Sequence, residues 1–386
     1  MGKLEARPGD VQPDLDPVWI TRVREKLVTW FSGAGRALPW RETRDPYHVL
    51  VSEMMLVQTT VAAVIPYYGR FLDAFPDVHA LAAADEADVL KAWEGLGYYR
   101  RARQLHEAAR TVVERHGGTF PDDPGEVRAL PGVGRYIAGA LLSFAFDRPE
   151  PIVEANTQRV LARWLALKSD LRSASSQARL WEAAGRLVPS DQPGQFNQAF
   201  MELGALVCSP RTPGCLVCPV ASECQARRLG IQDQLPIVVP KAPPLEVVES
   251  CALVRRGPDY LVVRRGVGRL WEGFWEFPTV WVSGADPAGR DFGRNETVGL
   301  AEGVRRLTGR LVEIGPMMKS IRYSVTKHRV RLDAYESTLA KREEKRSAIV
   351  GSGTMEAEWV PLAGLTARTM SAPNRRLVAW LSRAES

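Results

Sequence analysis

The sequence predicts a multidomain chain in which an all-α half precedes an α+β half. Three observations carry that expectation. From about Pro17 to Leu229, apolar residues recur at helical spacing in segments broken by Pro, Gly and Asp. The stretch QDQLPIVVPKAPPLE then concentrates four prolines, as an extended linker does and a packed element does not. Beyond it, β-branched and aromatic runs dominate. The expected boundaries are a helical domain over 1–230, a Pro-rich linker over 231–245 and an α+β domain over 246–386.

In chain order, the helical half reads as ITRVREKLVTWF, PYHVLVSEMMLVQ, VAAVIPYYGRFLDAF, ADVLKAWEGL, RARQLHEAARTVVERH, GEVRAL, RYIAGALLSFAF, TQRVLARWLAL and FNQAFMELGALV. In the second half, VVESCALVRR and YLVVRR flank a Gly-Pro-Asp turn, ETVGLAEGVRRLTG is helical, and IRYSVTKHRVRLDAYES reads as one long β-type segment.

Composition narrows the class. With 45% hydrophobic residues in 386, the chain can bury real cores, which excludes disorder and collagen-like repetition. The opening MGKLEARPGDVQPDLDP has no apolar signal core, and the apolar run AGALLSFAF is too short to span a bilayer. A cytoplasmic protein without membrane contact, and a monomer, is expected. Lys and Arg exceed Asp and Glu by 51 to 45, compatible with a polyanionic partner but too moderate to specify one.

Four of the five cysteines fall within CSPRTPGCLVCPVASEC, residues 208–224, at gaps of six, two and five residues. Clustered thiols in a reducing compartment are metal ligands more often than disulfide partners. Structural zinc sites use pairs spaced C-x2–4-C, and here only Cys215 and Cys218 fit. Cubane iron–sulfur clusters accept four thiolates from one looping segment of this kind. The reading is therefore a 4Fe-4S cluster first, zinc second and inert thiols last, with Cys251 a core residue. Upstream, LPGVGRYIAGALL sets Gly132 and Gly134 between a short helix and an apolar one, a pattern that presents backbone N–H groups and a helix N-terminus to a phosphate. The bland alternative is a plain packing corner between two helices.

Two carboxylates draw attention. Glu53 has Val49, Leu50, Leu56 and Val57 at i−4, i−3, i+3 and i+4, so its carboxyl sits in an apolar stripe where desolvation raises its pKa. It is a candidate proton donor, against the alternative of a buried glutamate paired with Arg41 or Arg44. Glu154 precedes Asn156 and Thr157, which read as caps for the next helix, whose N-terminus should favour the ionised carboxylate. Paired carboxyl groups pushed apart by their environments suit glycosidic-bond cleavage.

At this point LPWRETRDPYHVLVSEMMLVQTT, WEGLGYYRRARQLH, LPGVGRYIAGA, FNQAFMELGALVC and the cysteine run resemble the MutY family of adenine DNA glycosylases, within the helix-hairpin-helix, iron–sulfur glycosylase superfamily. The resemblance covers about residues 15–230, and RLWEGFWEFP resembles the Nudix-like domain with which the family reads 8-oxoguanine. It implies base flipping, protonation of adenine N7 and hydrolysis of the N-glycosidic bond in base excision repair, on double-stranded DNA holding a mispair or an oxidised guanine. By matching position, Glu53 is the implied proton donor, Glu154 the second carboxylate, and Tyr136 and Asn156 their helpers. Gln58 and Tyr98 match residues that wedge into the base stack, and Arg36, Leu38, Trp40 and Arg41 match the pocket wall. Cys208, Cys215, Cys218 and Cys224 match the cluster ligands, on a loop whose Arg211 faces DNA. Tyr136 stands where bifunctional members place a lysine, so a monofunctional enzyme is implied.

The departures are specific. Glu154 stands where the family has an aspartate, Gln198 where it has a glutamate that bonds adenine, and Val57-Gln58 where it has paired glutamines. The lesion-reading Phe-Ser-His loop is replaced by Val325-Thr326-Lys327, followed by His328. Arg305, Arg306, Leu307 and Thr308 occupy positions where a Nudix hydrolase needs acids for magnesium, so a binding domain is implied and no second enzyme.

Overall fold

The computed structural model describes residues 15–237, 242–266, 270–283, 296–340 and 355–384; positions 1–14 of the opening stretch and 238–241 of the expected linker lie outside them. Two compact units emerge: Met1–Ala84 with Arg100–Pro240, and Asp85–Tyr99 with Lys241–Ser386. None of the described helices is long and apolar enough to cross a membrane.

The first unit is helical. It comprises α1 (Pro17–Ala34), α2 (Pro46–Leu56), α3 (Val61–Ala74) and α4 (Val78–Ala83); α5 (Glu86–Ala92) belongs to the other unit. The first unit resumes with α6 (Arg100–His116), α7 (Pro124–Ala129), α8 (Arg135–Phe146), α9 (Ala155–Trp164), α10 (Ala174–Leu187), α11 (Pro193–Leu206) and α12 (Gln225–Arg228). Helices α1, α2 and α7 each start on Asp-Pro, the aspartate accepting a backbone N–H of the first turn and the proline occupying the first helical position, where its missing N–H costs nothing. Helix α2 is buried almost all round, Tyr47 and Val49 through Met55 included, and packs on α3, α6 and α8. Each such apolar side chain contributes about 1.5–3 kcal/mol. A second core joins α1, α9, α10 and α11, where Trp164 lies flat on Phe200 at 5.1 Å and meets the edge of Trp19 at 6.0 Å. Cys208, Cys218 and Cys224 pack against this core, which ties the cysteine loop to α9.

Helical periodicity did not announce α4 or α10. The first is six residues long, and the second presents a stripe built partly of Ala183 and Ala184. By its contacts, Asp85–Tyr99 groups with the second unit.

The second unit holds β1 (Leu245–Arg256), β2 (Asp259–Arg264), β3 (Trp275–Glu276), β4 (Thr279–Ser283), α13 (Glu296–Thr308), β5 (Val312–Val325), β6 (His328–Leu339), β7 (Ala357–Pro361) and α14 (Ala372–Ala384). The seven strands form one mixed sheet, ordered β3-β2-β1-β6-β5, with β4 pairing β1 and β7 pairing β2. Strand β1 runs parallel to β6 from Leu245↔His328 to Arg255↔Thr338. Its side chains alternate between two cores: Cys251 and Leu253 join Leu377 and Leu381 of α14, whereas Ala252 and Val254 join Leu300 and Val304 of α13. Burial on both faces explains the unbroken apolar run of β1. The expected single β segment IRYSVTKHRVRLDAYES is instead a hairpin, because Thr326 takes a left-handed φ of +52° and turns β5 back into β6. On α13, Glu302 is ion-paired with Arg305 and Arg306.

Candidate active site

A cavity of about 320 Å³ opens where α2, α8, α9 and α11 converge with the segment Arg36–Arg41. Every residue considered for the chemistry lines it: Glu53 from α2, Tyr136 from α8, Glu154 and Asn156 at the head of α9, and Gln198 from α11. Arg36, Leu38, Trp40, Arg41 and Gln58 line it too.

Glu53 is 2% exposed and accepts a 2.5 Å hydrogen bond from the Tyr136 hydroxyl. Burial pushes its carboxyl up to about 7, the Tyr136 bond opposes this, and the nearby Glu154 charge adds to it. The alternative of a simple ion pair with Arg41 or Arg44 does not hold. Arg41 donates to Glu202 at 2.9 Å and Arg44 reaches Asp147 at 3.3 Å. Burial and the neighbouring carboxylates also raise the Tyr136 phenol well above its ordinary range, so it serves as a donor and not as an anion.

Glu154 is itself the N-cap of α9, and Asn156 and Thr157, read from sequence as caps, form the first turn. The Glu154 carboxylate accepts the backbone N–H groups of Asn156 at 2.8 Å and Thr157 at 2.9 Å and the Asn156 side-chain amide at 3.2 Å, while Thr157 Oγ1 accepts the Glu154 N–H in return. Burial nevertheless raises its pKa above the ordinary value, outweighing those bonds and the Arg159 charge. The expectation that the helix terminus leaves the carboxylate readily ionised is corrected by desolvation. With three donors on its oxygens, Glu154 is still the better solvated carboxylate of the pair.

A third carboxylate went unnoticed in the sequence. Glu202 is fully buried, yet Arg36 binds both of its oxygens at 2.7 Å and Arg41 adds a third bond. Burial pushes it up, but these guanidinium bonds hold it at about 2. Arg36 and Arg41 therefore line the cavity already ion-paired, although the Arg41 charge still lowers the Glu53 pKa. A lone glutamate inside the apolar run FMELGALV was the available signal.

From Asn156 the contacts continue down α9. Arg159 donates to Asn156 Oδ1 at 2.8 Å, to Gly204 O at 2.6 Å and to Cys208 O at 2.7 Å. One turn on, the buried Arg163 donates to Ser209 O, Gln232 O, Leu235 O and, at 3.1 Å, to Cys208 Sγ. Cys208, Cys215, Cys218 and Cys224 line one small cavity with Arg163. Burial raises Cys215 and Cys224 and pushes Cys218 up to about 12. A bound cation reverses that preference, and thiolate charge at Cys208 would neutralise the buried Arg163, so the donor set fits a metal–thiolate group. Among the described residues no group of three or more His, Cys, Asp or Glu is placed to hold a metal ion.

The remaining expected site residues are scattered. Gly132 takes φ +74°, and a Cβ there would lie 2.6 Å from Gln104 Cβ, so glycine is required. Gly134 caps α8 at φ −79° with open space around it: it leaves the helix terminus accessible and needs no left-handed turn. Arg211 is exposed on the cysteine loop and Gln58 is exposed at φ +58°. Tyr98, 56% exposed at φ +49°, belongs to the second unit, as do Thr326, Lys327 and His328 at the β5–β6 turn, where Thr326 Oγ1 and His328 Nδ1 lie 3.3 Å apart.

Comparison with known proteins accords with this geometry. The family described as HhH-GPD superfamily base excision DNA repair protein matches residues 51–185, from α2 through the hairpin to α10. The adenine DNA glycosylase of Rattus norvegicus is 37% identical over 323 residues, covering 70% of this chain and 62% of its own. That of Buchnera aphidicola subsp. Schizaphis graminum is 32% identical over 253 residues, covering 65% of this chain and 73% of its own. The chain spans 62% of the length of the rat relative, 61% of the mouse one and 58% of the human one. A solved structure described as a thermostable thymine-DNA glycosylase is 30% identical, with a TM-score of 0.51, and covers 55% of this chain and 98% of its own. With its buried acid, its capped second carboxylate and its hairpin in one helical unit, and with relatives matched over most of their length, this chain belongs to the adenine DNA glycosylase family.

Proposed function

We propose that the chain excises mispaired adenine, opposite 8-oxoguanine or guanine, from duplex DNA as a monofunctional glycosylase in base excision repair. The observation that carries this reading is the placement of Glu53 and Glu154 on one cavity, the first held near neutrality by burial and the second anchored by three donors. Glu53, protonated below about pH 7, donates its proton to N7 of a flipped adenine as the bond from the base to C1′ breaks. The bonding electrons leave with the base. Glu154 stabilises the positive charge that develops on the sugar, and Asn156 and the α9 N-terminus hold that carboxylate in place. Water then adds to C1′, its proton passing to the Glu53 carboxylate, and an abasic site remains. Tyr136 orients the acid by donating to it.

Cys208, Cys215, Cys218 and Cys224 would hold a 4Fe-4S cluster, which when bound supplies a cross-link across loop 208–224 and no step of the reaction. The α8 N-terminus at Gly134, with Arg211, grips backbone phosphates. Gln58 and Tyr98 wedge into the stack beside the flipped base. The second unit serves as a Nudix-like reader of the opposing lesion through Thr326, Lys327 and His328.

A second reading is favoured by Gln198, which lines the cavity where the resembled family has a glutamate. An amide donates as well as accepts, and so reads a different base edge. The related structure described as a thymine-DNA glycosylase points the same way. Release of base from a panel of mispaired duplexes decides: adenine-specific release supports the first reading, release of another base the second, and binding without release a damage-binding protein.

A further inference from the structure

Residues Glu94–Tyr99 form a turn in strained backbone. Gly95 and Gly97 take φ of +107° and +73°, and Tyr98, which is not a glycine, takes +49°. For the two glycines this is ordinary, but for Tyr98 it is sterically unfavourable and persists only where the surroundings over-determine it. By its contacts the turn groups with the second unit. Within the turn, Trp93 Nε1 donates to Gly97 O at 3.1 Å and the Gly95 N–H donates to the Tyr99 hydroxyl at 3.1 Å. The Tyr99 ring meets Phe274 edge-on at 4.4 Å. Arg375 of α14 grips both Glu94 oxygens, one at 3.0 Å, and donates to Leu365 O at 2.7 Å and to Arg368 O. Lys91 completes the clamp, donating to Glu94 at 3.2 Å and to Thr366 O at 3.0 Å.

From this clamp we infer that Arg375, with Glu94 and Phe274, positions Tyr98 for insertion into the DNA stack, so that side chains from the C-terminal half of the chain set the direction of the wedge. The inference rests on the reading of Tyr98 as a stack wedge proposed above. Its physical content is that a bidentate guanidinium fork fixes direction as well as distance, and an exposed aromatic on a two-glycine turn would otherwise sample many orientations. A displacement on the order of 1 Å at such a positioning group can cost up to about a hundredfold in rate.

The test uses the full chain and a duplex carrying adenine opposite 8-oxoguanine with 2-aminopurine next to the lesion. Arg375→Ala is expected to slow single-turnover excision about tenfold or more and to lower the 2-aminopurine fluorescence that reports unstacking. Added to Tyr98→Ala, it should cost nothing further in either readout. An equal loss in the Tyr98→Ala background overturns the inference, because Arg375 would then act by another route. If Tyr98→Ala alone leaves rate and fluorescence unchanged, the wedge reading fails first and the inference falls with it. Glu94→Gln, which keeps the side-chain size and leaves the sheet core intact, repeats the cycle should Arg375→Ala lower the folded fraction in a thermal melt.

Discussion

In the helical unit Tyr136 donates to Glu53 at 2.5 Å, and in the sheet unit Tyr323 donates to Glu249 at 2.7 Å. Burial raises both carboxyl groups. Around Glu249 the neighbours close the account locally: Arg265 lies near enough to lower its pKa, pairs with Glu276 at 2.6 Å, and sits over Trp271, which packs on Tyr323. Around Glu53, Arg36 and Arg41 bond Glu202, Arg41 still lying near enough to lower the Glu53 pKa as Arg265 does for Glu249, while a second carboxylate adds its repulsion. Glu53 also faces a cavity large enough for a base. The difference teaches that a raised carboxyl pKa is a common product of burial. What sets Glu53 apart is an open cavity and a second carboxylate that lines it, anchored by three donors.

The comparison breaks most sharply under isosteric substitution. Glu53→Gln should reduce single-turnover excision about a thousandfold, the range of a lost general acid, whereas Glu249→Gln should leave it within about twofold. Equal losses would show that the Glu53 environment has no special role. Next in size is Glu154→Gln, expected to cost about a hundredfold through loss of a preorganised charge, with Glu154→Asp slower than the native enzyme by a smaller factor. Faster excision by Glu154→Asp would mean that the extra methylene of Glu154 is a handicap in the native pocket.

A pH series sharpens the same contrast. Because Glu53 titrates at about 7, excision should fall about tenfold per unit above that pH, provided no later step limits the rate. Its folded pKa lies above its ordinary value of 4.5, so folding is favoured while the carboxyl is neutral and loses that advantage as pH rises from 4.5 through about 7. Glu53→Gln should therefore be more stable than the native chain at pH 8, by an amount on the order of 3 kcal/mol, and should match the native chain at pH 4. A constant difference at all pH values would place the effect in packing. The smallest effect is expected from ending the chain near Pro240, which should reduce discrimination between 8-oxoguanine and guanine opposite adenine. That truncation also deprives Asp85–Tyr99 of Phe274 and Arg375, so protease cleavage within Glu94–Tyr99 should appear in the shortened chain alone.

Local rules made much of this molecule readable. The starts of α1, α2 and α7 follow from Asp-Pro pairs, the burial of Glu53 from its apolar neighbours one turn away, and the Gly132 turn from backbone that only glycine adopts cheaply. The same locality explains the misses. A hairpin and one long strand share a period of two, so IRYSVTKHRVRLDAYES concealed its turn until Thr326 was seen at positive φ. The stripe of α10 uses alanines that contribute little contrast to a hydrophobic pattern.

The amino-acid order by itself determined which groups could take part: a glutamate in an apolar stripe, a second at a helix start, four thiols on one loop and two glycines at a hairpin. Tertiary structure alone decided what those groups face. It brought Glu202 to Arg36 and Arg41 across more than 160 residues, leaving Glu53 without a paired cation. Burial there raised Glu154 despite its caps, and the chain fold gave Asp85–Tyr99 to the sheet unit. The physical reason is that caps and turns depend on neighbours within about four residues, whereas desolvation and charge pairing depend on whatever the rest of the chain places within a few ångströms.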